Sequence, residues 1–127
     1  DVLKPGHINP DHARYELHRV WVVEATLKPG TSHVYTKRTF YIDEDSWSIM
    51  LTDKYDSRGQ LWRTAEMHSI NYADIPMLIS SLEVHYDLQS GRYLAMGLRN
   101  EEKAVYTPIK RSNADFSPNG LRRAGTR

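Results

Sequence analysis

Apolar and polar residues alternate with a period of two along most of the chain from Tyr15 to Leu98. Successive side chains of a β-strand point to opposite faces of a sheet, so this alternation is typical of half-buried strands. The pattern predicts six strands, separated by segments that contain Gly, Pro, Asp, Asn or Ser. Their predicted bounds are 15–27, 33–43, 47–56, 60–72, 77–87 and about 92–98.

The segments between the predicted strands are mostly short and carry residues that favour turns. Examples are Pro29-Gly30, the stretch 56–59 and Ser90-Gly91. Proline fixes the backbone angle φ, and glycine tolerates a positive φ. Strands joined by such turns pair with their neighbours in antiparallel fashion. The predicted fold class is therefore mainly all-β, an antiparallel up-and-down meander of about six strands.

The alternation ends after Asn100, and the segment 100–127 is predicted to be an irregular polar tail. A short helix is expected at 117–124 within this tail. Ser117 is a typical N-cap, Pro118 suits the first helical position, and Gly125 suits the end of a helix. The sheet itself is expected to occupy about 14–99.

The composition is that of an ordinary globular domain, with 127 residues of which 39% are hydrophobic and 26% are charged. The net charge of +1 comes from 17 basic and 16 acidic residues that are interspersed, so no strong field favours nucleic acid. Cysteine is absent, which excludes disulfides and thiolate metal sites. Because the chain opens with Asp1 and reads like a cut within a protein, we expect residues 1–127 to be a single domain and the C-terminal fragment of a longer protein.

Both faces of the predicted sheet carry large apolar side chains. Trp21 lies between Val20 and Val22, and Phe40 precedes Tyr41, so neighbouring apolar residues face opposite ways. A sheet with one face in water shows apolar residues on one side and polar residues on the other. We therefore expect one face to be covered by the rest of a longer protein, by a ligand or by a partner chain.

Several ordered stretches of the chain resemble a Gram-negative family of exported proteins, domain-of-unknown-function family 1329, usually labelled outer-membrane lipoprotein-sorting proteins. The stretches that carry the resemblance are Arg19–Lys28, Lys37–Trp47, Tyr55–Arg63, Leu88–Leu94, Ala114–Phe116 and Leu121–Gly125. Members of that family are several times longer than this chain, so the resemblance implies that the chain is their C-terminal portion.

The resemblance also implies a fold and a role. The family is similar to the periplasmic lipoprotein carriers of the Lol system, which fold as a curved half-open barrel with helices on the concave side. By this resemblance the six strands are part of a curved half-barrel. The implied location is the periplasm, in association with the outer membrane, and the implied partners are lipid or lipoprotein acyl chains.

Aromatic residues and methionines are the candidate ligand contacts, because methionine adapts to varied apolar shapes and aromatic side chains offer large apolar surfaces. The alternative is that they pack as core against the missing N-terminal portion of the protein. The candidates are Trp21, Phe40, Trp47, Met50, Trp62, Met67 and Met96.

Arg19, Asp53 and Arg63 are charged residues on otherwise apolar faces of the predicted strands. A buried charge requires a partner, so they are interpreted as internal ion pairs or as a headgroup site for an anionic ligand. The acidic stretch 43–45 is interpreted as a hairpin link, with a calcium site as the alternative.

The patterns Gly-x-Ser-x-Gly, His-x-His and His-Glu-x-x-His are absent. We expect no catalytic residues, no metal and no cofactor, and a protein that is not an enzyme in its own right. The favoured hypothesis is a carrier or sorting factor that binds acyl chains in a hydrophobic groove. The alternative is an assembly module of the cell envelope that pairs through sheet edges and aromatic faces with a partner protein or as a homodimer.

Overall fold

The computed structural model describes residues 1–75, 77–98 and 110–125. The chain starts with a small two-stranded antiparallel hairpin, in which β1 (Leu3–Lys4) pairs with β2 (His7–Ile8). A 3-10 turn, Pro10–His12, follows it. We call residues 2–15 the N-terminal arm, because this segment packs on the main sheet. The sequence pattern before Tyr15 did not predict this packing.

The main sheet has six antiparallel strands in the order β3-β4-β5-β6-β7-β8, so each strand pairs with its neighbours along the chain. The predicted meander is therefore confirmed. Within the described residues the two outer strands do not pair with each other, so the sheet is not a closed barrel. The strands are β3 (Val20–Thr26), β4 (Lys37–Asp43), β5 (Ile49–Tyr55), β6 (Leu61–Tyr72), β7 (Met77–Asp87) and β8 (Arg92–Met96).

The first two strands start later than the alternation predicted, at Val20 and Lys37 rather than at 15 and 33. Tyr15 belongs to the arm, where its hydroxyl donates to Glu66 Oε2 at 3.2 Å. His33 forms a local turn, since its Nδ1 accepts from the backbone N–H of Tyr35 at 3.0 Å. The contact of Tyr15 joins residues 51 positions apart, whereas that of His33 is local.

The buried core is small and lies between the N-terminal arm and the last strands. Among the described residues, the buried hydrophobic side chains are Ile8, Leu82 and Val84, which pack as one cluster. Tyr93 also ties β8 to the arm, because its hydroxyl donates to the backbone oxygen of Lys4 at 2.8 Å. The arm therefore covers one face of β7 and β8, which we call the arm face.

Three register shifts among the described strands change which side chains share a face. One lies between β6 and β7, where His68 pairs with Leu82 but Ser69 pairs with Ser80. Tyr41 pairs with Leu51 and Ile42 pairs with Ile49, so Met50 is an extra residue in β5. In the same way, Lys54 pairs with Arg63 while Tyr55 pairs with Leu61. We call the face opposite the arm the groove face, and Met50 lies there.

The predicted C-terminal helix is confirmed as α1 (Pro118–Ala124). The Ser117 hydroxyl oxygen accepts from the backbone N–H of Gly120 at 3.1 Å, and Gly125 follows the last turn. Gly120 lies so close to the preceding turn that a Cβ there would meet Asp115 O at 2.5 Å. No helix in the described part of the chain is both long enough and apolar enough to span a bilayer.

Trp47, in the turn between β4 and β5, has a φ of 57°, and 71% of its surface is exposed. The left-handed region costs a non-glycine residue about 1–2 kcal/mol. We therefore expect Trp47→Gly to raise the free energy of unfolding by up to about 1 kcal/mol in urea titrations. The control Trp47→Ala removes the same indole but keeps the strain. An equal gain from both variants would contradict this account.

Candidate functional site

The groove face carries a continuous row of paired residues across all six strands. The register places Phe40 opposite Thr52, Thr52 opposite Ala65 and Ala65 opposite His85, and Val23 and Leu94 end the row. The residues in the middle of this row are small, while those beside them are larger. The result is an open groove with a volume of ≈ 200 Å³. Its lining includes Ile49, Met50, Thr52, Ala65, Met67, Glu83 and His85.

The apolar side chains around the groove are only partly covered. Trp21 and Val23 on β3 are 53% and 43% exposed, and Leu94 and Met96 on β8 are 56% and 47% exposed. Full burial of a large apolar side chain is worth about 1.5–3 kcal/mol, and each of these side chains, being roughly half exposed, forgoes about half of that. The groove face therefore leaves a considerable apolar surface uncovered.

The structure brings several of the predicted ligand residues together on the groove face. Met50 and Met67 line the groove itself. Trp21, Phe40 and Met96 share the same face, because the register places them level with its lining residues. Their contact with a ligand stays a prediction.

The other two predicted tryptophans lie elsewhere. Trp47 extends from the turn between β4 and β5. Trp62 lies at the start of β6, where its ring is 5.7 Å from that of Tyr35 in an edge-on arrangement and its N–H donates to Asp87 Oδ2 at 3.1 Å. Trp62 thus belongs to a polar cluster at one end of the groove face.

Arg63 stands at the centre of this polar cluster. Its Nε donates to Asp87 Oδ2 at 3.0 Å, its Nη1 donates to the Tyr35 hydroxyl at 2.9 Å, and its guanidinium lies 4.3 Å from the Trp62 ring. The backbone N–H of Ser90, together with Arg63, lowers the pKa of Asp87 to about 2. A single guanidinium therefore joins strands β6 and β7 to the segment before β4.

The three predicted charged residues do not form one site. Asp53 lies on the arm face, where it accepts from the Tyr41 hydroxyl and from Thr64 Oγ1, each at 3.0 Å. Arg63 lies on the opposite face, since Asp53 pairs with Thr64 and the next pair is Lys54 with Arg63. Arg19 has a side chain that is 88% exposed, and it pairs with Glu44 at 3.2 Å.

The acidic stretch after β4 forms a hairpin turn. Asp43 is 2% exposed, and its Oδ2 accepts from the backbone N–H of Ser46 at 2.8 Å and from its hydroxyl at 2.6 Å. His18 Nδ1 lies 2.9 Å from the other oxygen of Asp43. Potential ligand atoms of His18, Asp43 and Asp45 all lie within 4.8 Å of one another.

Hydrogen bonds to Glu16 and then to Asp43 raise the pKa of His18 above its ordinary value of 6.5. A raised pKa contributes stability that is complete below the unfolded-state pKa and is lost as pH rises through the folded-state pKa. We therefore expect the difference in urea midpoint between the wild type and His18→Gln to be largest below about pH 6.5 and to shrink at higher pH. A difference that does not vary with pH would show that the pairing has no electrostatic component.

Sequence reasoning missed the floor of the groove and a half-buried cluster beneath the arm. Thr52 and Ala65 are small residues in the middle of long strands, which is the only local signal that a groove starts there. Under the arm, Glu66 accepts from the Tyr86 hydroxyl at 2.8 Å, and burial and this bond raise the pKa of Tyr86. Nearby, His68 Nε2 is buried without a hydrogen-bond partner among the described residues.

The geometry defines an open antiparallel sheet whose arm face is covered at β7 and β8 and whose opposite face carries the groove. The amino-acid sequence of the chain matches the profile of the family described as "Protein of unknown function (DUF1329)" over residues 1–122. The chain belongs to this family.

The chain is similar over its whole length to an uncharacterized protein of Pseudomonas aeruginosa, with 53% identity over 128 residues. The match covers 100% of this chain and 28% of that protein, so the chain spans little more than a quarter of its relative. Among solved structures, it is similar to an outer membrane lipoprotein-sorting protein domain from Vibrio parahaemolyticus. The TM-score is 0.49 with 21% identity, covering 82% of this chain and 42% of that chain.

Proposed function

We propose that this chain is the groove-bearing part of a carrier or sorting factor that binds lipid or lipoprotein acyl chains. The observation that carries the proposal is the exposed apolar groove face, centred on Ala65 and flanked by Met50 and Met67. The proposed site residues are those predicted from sequence on that face, namely Trp21, Phe40, Met50, Met67 and Met96. Trp47 and Trp62 are proposed as contacts at its margins.

Hydrophobic transfer alone supports this role, without covalent chemistry. Burying an acyl chain yields about 0.8 kcal/mol per CH₂ group. Methionine side chains adjust their shape to different chains, which suits a carrier that accepts mixed acyl groups. We propose that release of the bound acyl chain requires either a competing acceptor or a conformational change of the protein. The protein is then a sequestering carrier and not an enzyme.

The proposed location is the periplasm of a Gram-negative cell, in association with the outer membrane. This part of the proposal rests on the family resemblance, since such proteins are exported. We further propose that residues 1–127 form one domain, with the C-terminal tail as part of it, and that it belongs to a longer polypeptide.

Native mass spectrometry of the protein purified without detergent from its own envelope tests the carrier proposal. We expect mass adducts that correspond to lipids or acylated peptides and that organic extraction removes. The same protein recovered free of lipid, and unable to take up lipid from vesicles, would contradict the proposal.

The second candidate function is an assembly module that pairs with a partner protein or with a second copy. The observation that favours it is the exposed outer strand β3, of which every residue after Val20 is exposed. Exposed strand edges readily pair with other strands. A lipid-free dimer in the same mass spectrometry experiment would favour this function over the carrier.

A further inference from the structure

The outer edge of β3 has no strand partner among the described residues, because β3 is the first strand in the sheet order. Its ladder to β4 fixes which backbone groups face outward. Leu27 N–H donates to Thr36 O at 2.9 Å, and Glu44 N–H donates to Arg19 O at 3.3 Å. Along an antiparallel ladder, every second residue of a strand bonds to the same neighbour. Since Arg19 and Leu27 bond to the side of β4, the odd-numbered residues of β3 between them do so as well. The outward-facing N–H and C=O groups are those of Val20, Val22, Glu24 and Thr26.

This edge has few of the features by which proteins protect a free strand. Such features are prolines, lysines, bulges and short length. The ladder between β3 and β4 runs regularly from Val20 to Thr26, and Glu24 is the single charged residue of β3. Trp21 and Val22, on opposite faces, are 53% and 60% exposed. Both the backbone and the side chains of β3 are thus suited to pairing with a further strand.

We propose that, in a polypeptide as long as its Pseudomonas relative, this edge is completed by a strand from the portion outside the matched residues. The argument is chain length, because the match covers 28% of that relative and leaves the greater part of it outside. The added strand bonds to the four outward-facing residues and extends the groove face beyond Trp21. The proposal stands independently of the groove's ligand.

Amide hydrogen exchange resolved by residue tests this proposal on two proteins, the 127-residue chain and the full-length Pseudomonas relative. In the chain alone, the amides of Val20, Val22, Glu24 and Thr26 are expected to exchange almost freely. At the aligned positions of the relative, exchange is expected to be slower by about 100-fold or more, as for strands inside a sheet. The amides of Trp21, Val23 and Ala25 bond to β4 and serve as the internal control, protected in both proteins.

Two results would overturn the proposal. Fast exchange at the four aligned positions of the relative would mean that the edge stays open in the longer polypeptide. Protection of these amides in the isolated chain that increases with its concentration would assign the edge to a second copy instead. Neither result depends on lipid, so failure of the carrier proposal leaves this test unaffected.

Discussion

Ala65→Trp is expected to abolish measurable binding of a fluorescent fatty acid, such as NBD-labelled dodecanoic acid. Ala65 lies at the centre of the groove, between Thr52 and His85 in the register. An indole there occupies much of a volume of ≈ 200 Å³. If it displaces about four CH₂ groups of the ligand, the loss is about 3 kcal/mol, or more than about 100-fold in Kd. Fluorescence titration at constant probe concentration measures the change.

The matched control for this variant is Val22→Trp, which adds the same side chain to the opposite face. Val22 is 60% exposed on the arm face of β3, so the new indole lies away from the groove. We expect its Kd to remain within about threefold of the wild type. Circular dichroism melting of both variants separates loss of binding from loss of folding. If the wild type and a folded Ala65→Trp variant bound the fatty acid equally, the groove would not be the binding site.

Ile8→Ala is expected to have the largest effect on stability, a loss of about 2–4 kcal/mol in the free energy of unfolding. Ile8 is 3% exposed and packs against Leu82 and Val84 from the N-terminal arm. The described core contains so few buried hydrophobic side chains that a cavity there removes much of its packing. Urea unfolding followed by tryptophan fluorescence measures the loss.

Leu3→Ala provides the comparison within the same hairpin. Leu3 pairs with Ile8 in the ladder, yet it is 50% exposed. Exposed substitutions usually change stability by less than about 0.5 kcal/mol. If Leu3→Ala and Ile8→Ala were equally destabilising, the effect would come from the hairpin itself and not from its packing on β7.

The meander could be predicted because its signals are local. Alternation identifies each strand, and turn residues such as Gly59 and Gly91 mark the reversals, where both adopt a positive φ. The bounds predicted for β7 agree with Met77–Asp87, and the capping residues placed α1 correctly. These features depend on residues that are close together in sequence.

Packing and register could not be predicted in the same way. The arm covers the sheet through contacts such as Ile8 with Val84, and no local pattern reports a contact between such distant residues. Regular alternation also puts Ile49 on the same face as Leu51, whereas the bulge at Met50 separates them. A bulge inserts one residue without changing the composition of the strand, so the sequence pattern alone does not show it.

For the candidate site, sequence reasoning found the large residues and missed the space between them. Met50 and Met67 are conspicuous in the sequence, whereas Thr52 and Ala65 are inconspicuous. The groove exists because the register places those two small residues side by side on neighbouring strands. Only the pairing of strands reveals such a depression.

The arm has a consequence for the order in which the chain folds. Each strand of the main sheet pairs with the next one along the chain, so closing those loops costs little entropy. In contrast, the bond from Tyr93 to Lys4 joins residues 89 positions apart. Contacts of such long sequence separation usually form late. We expect the arm to dock after the folding transition state, so that Ile8→Ala accelerates unfolding and leaves the folding rate almost unchanged.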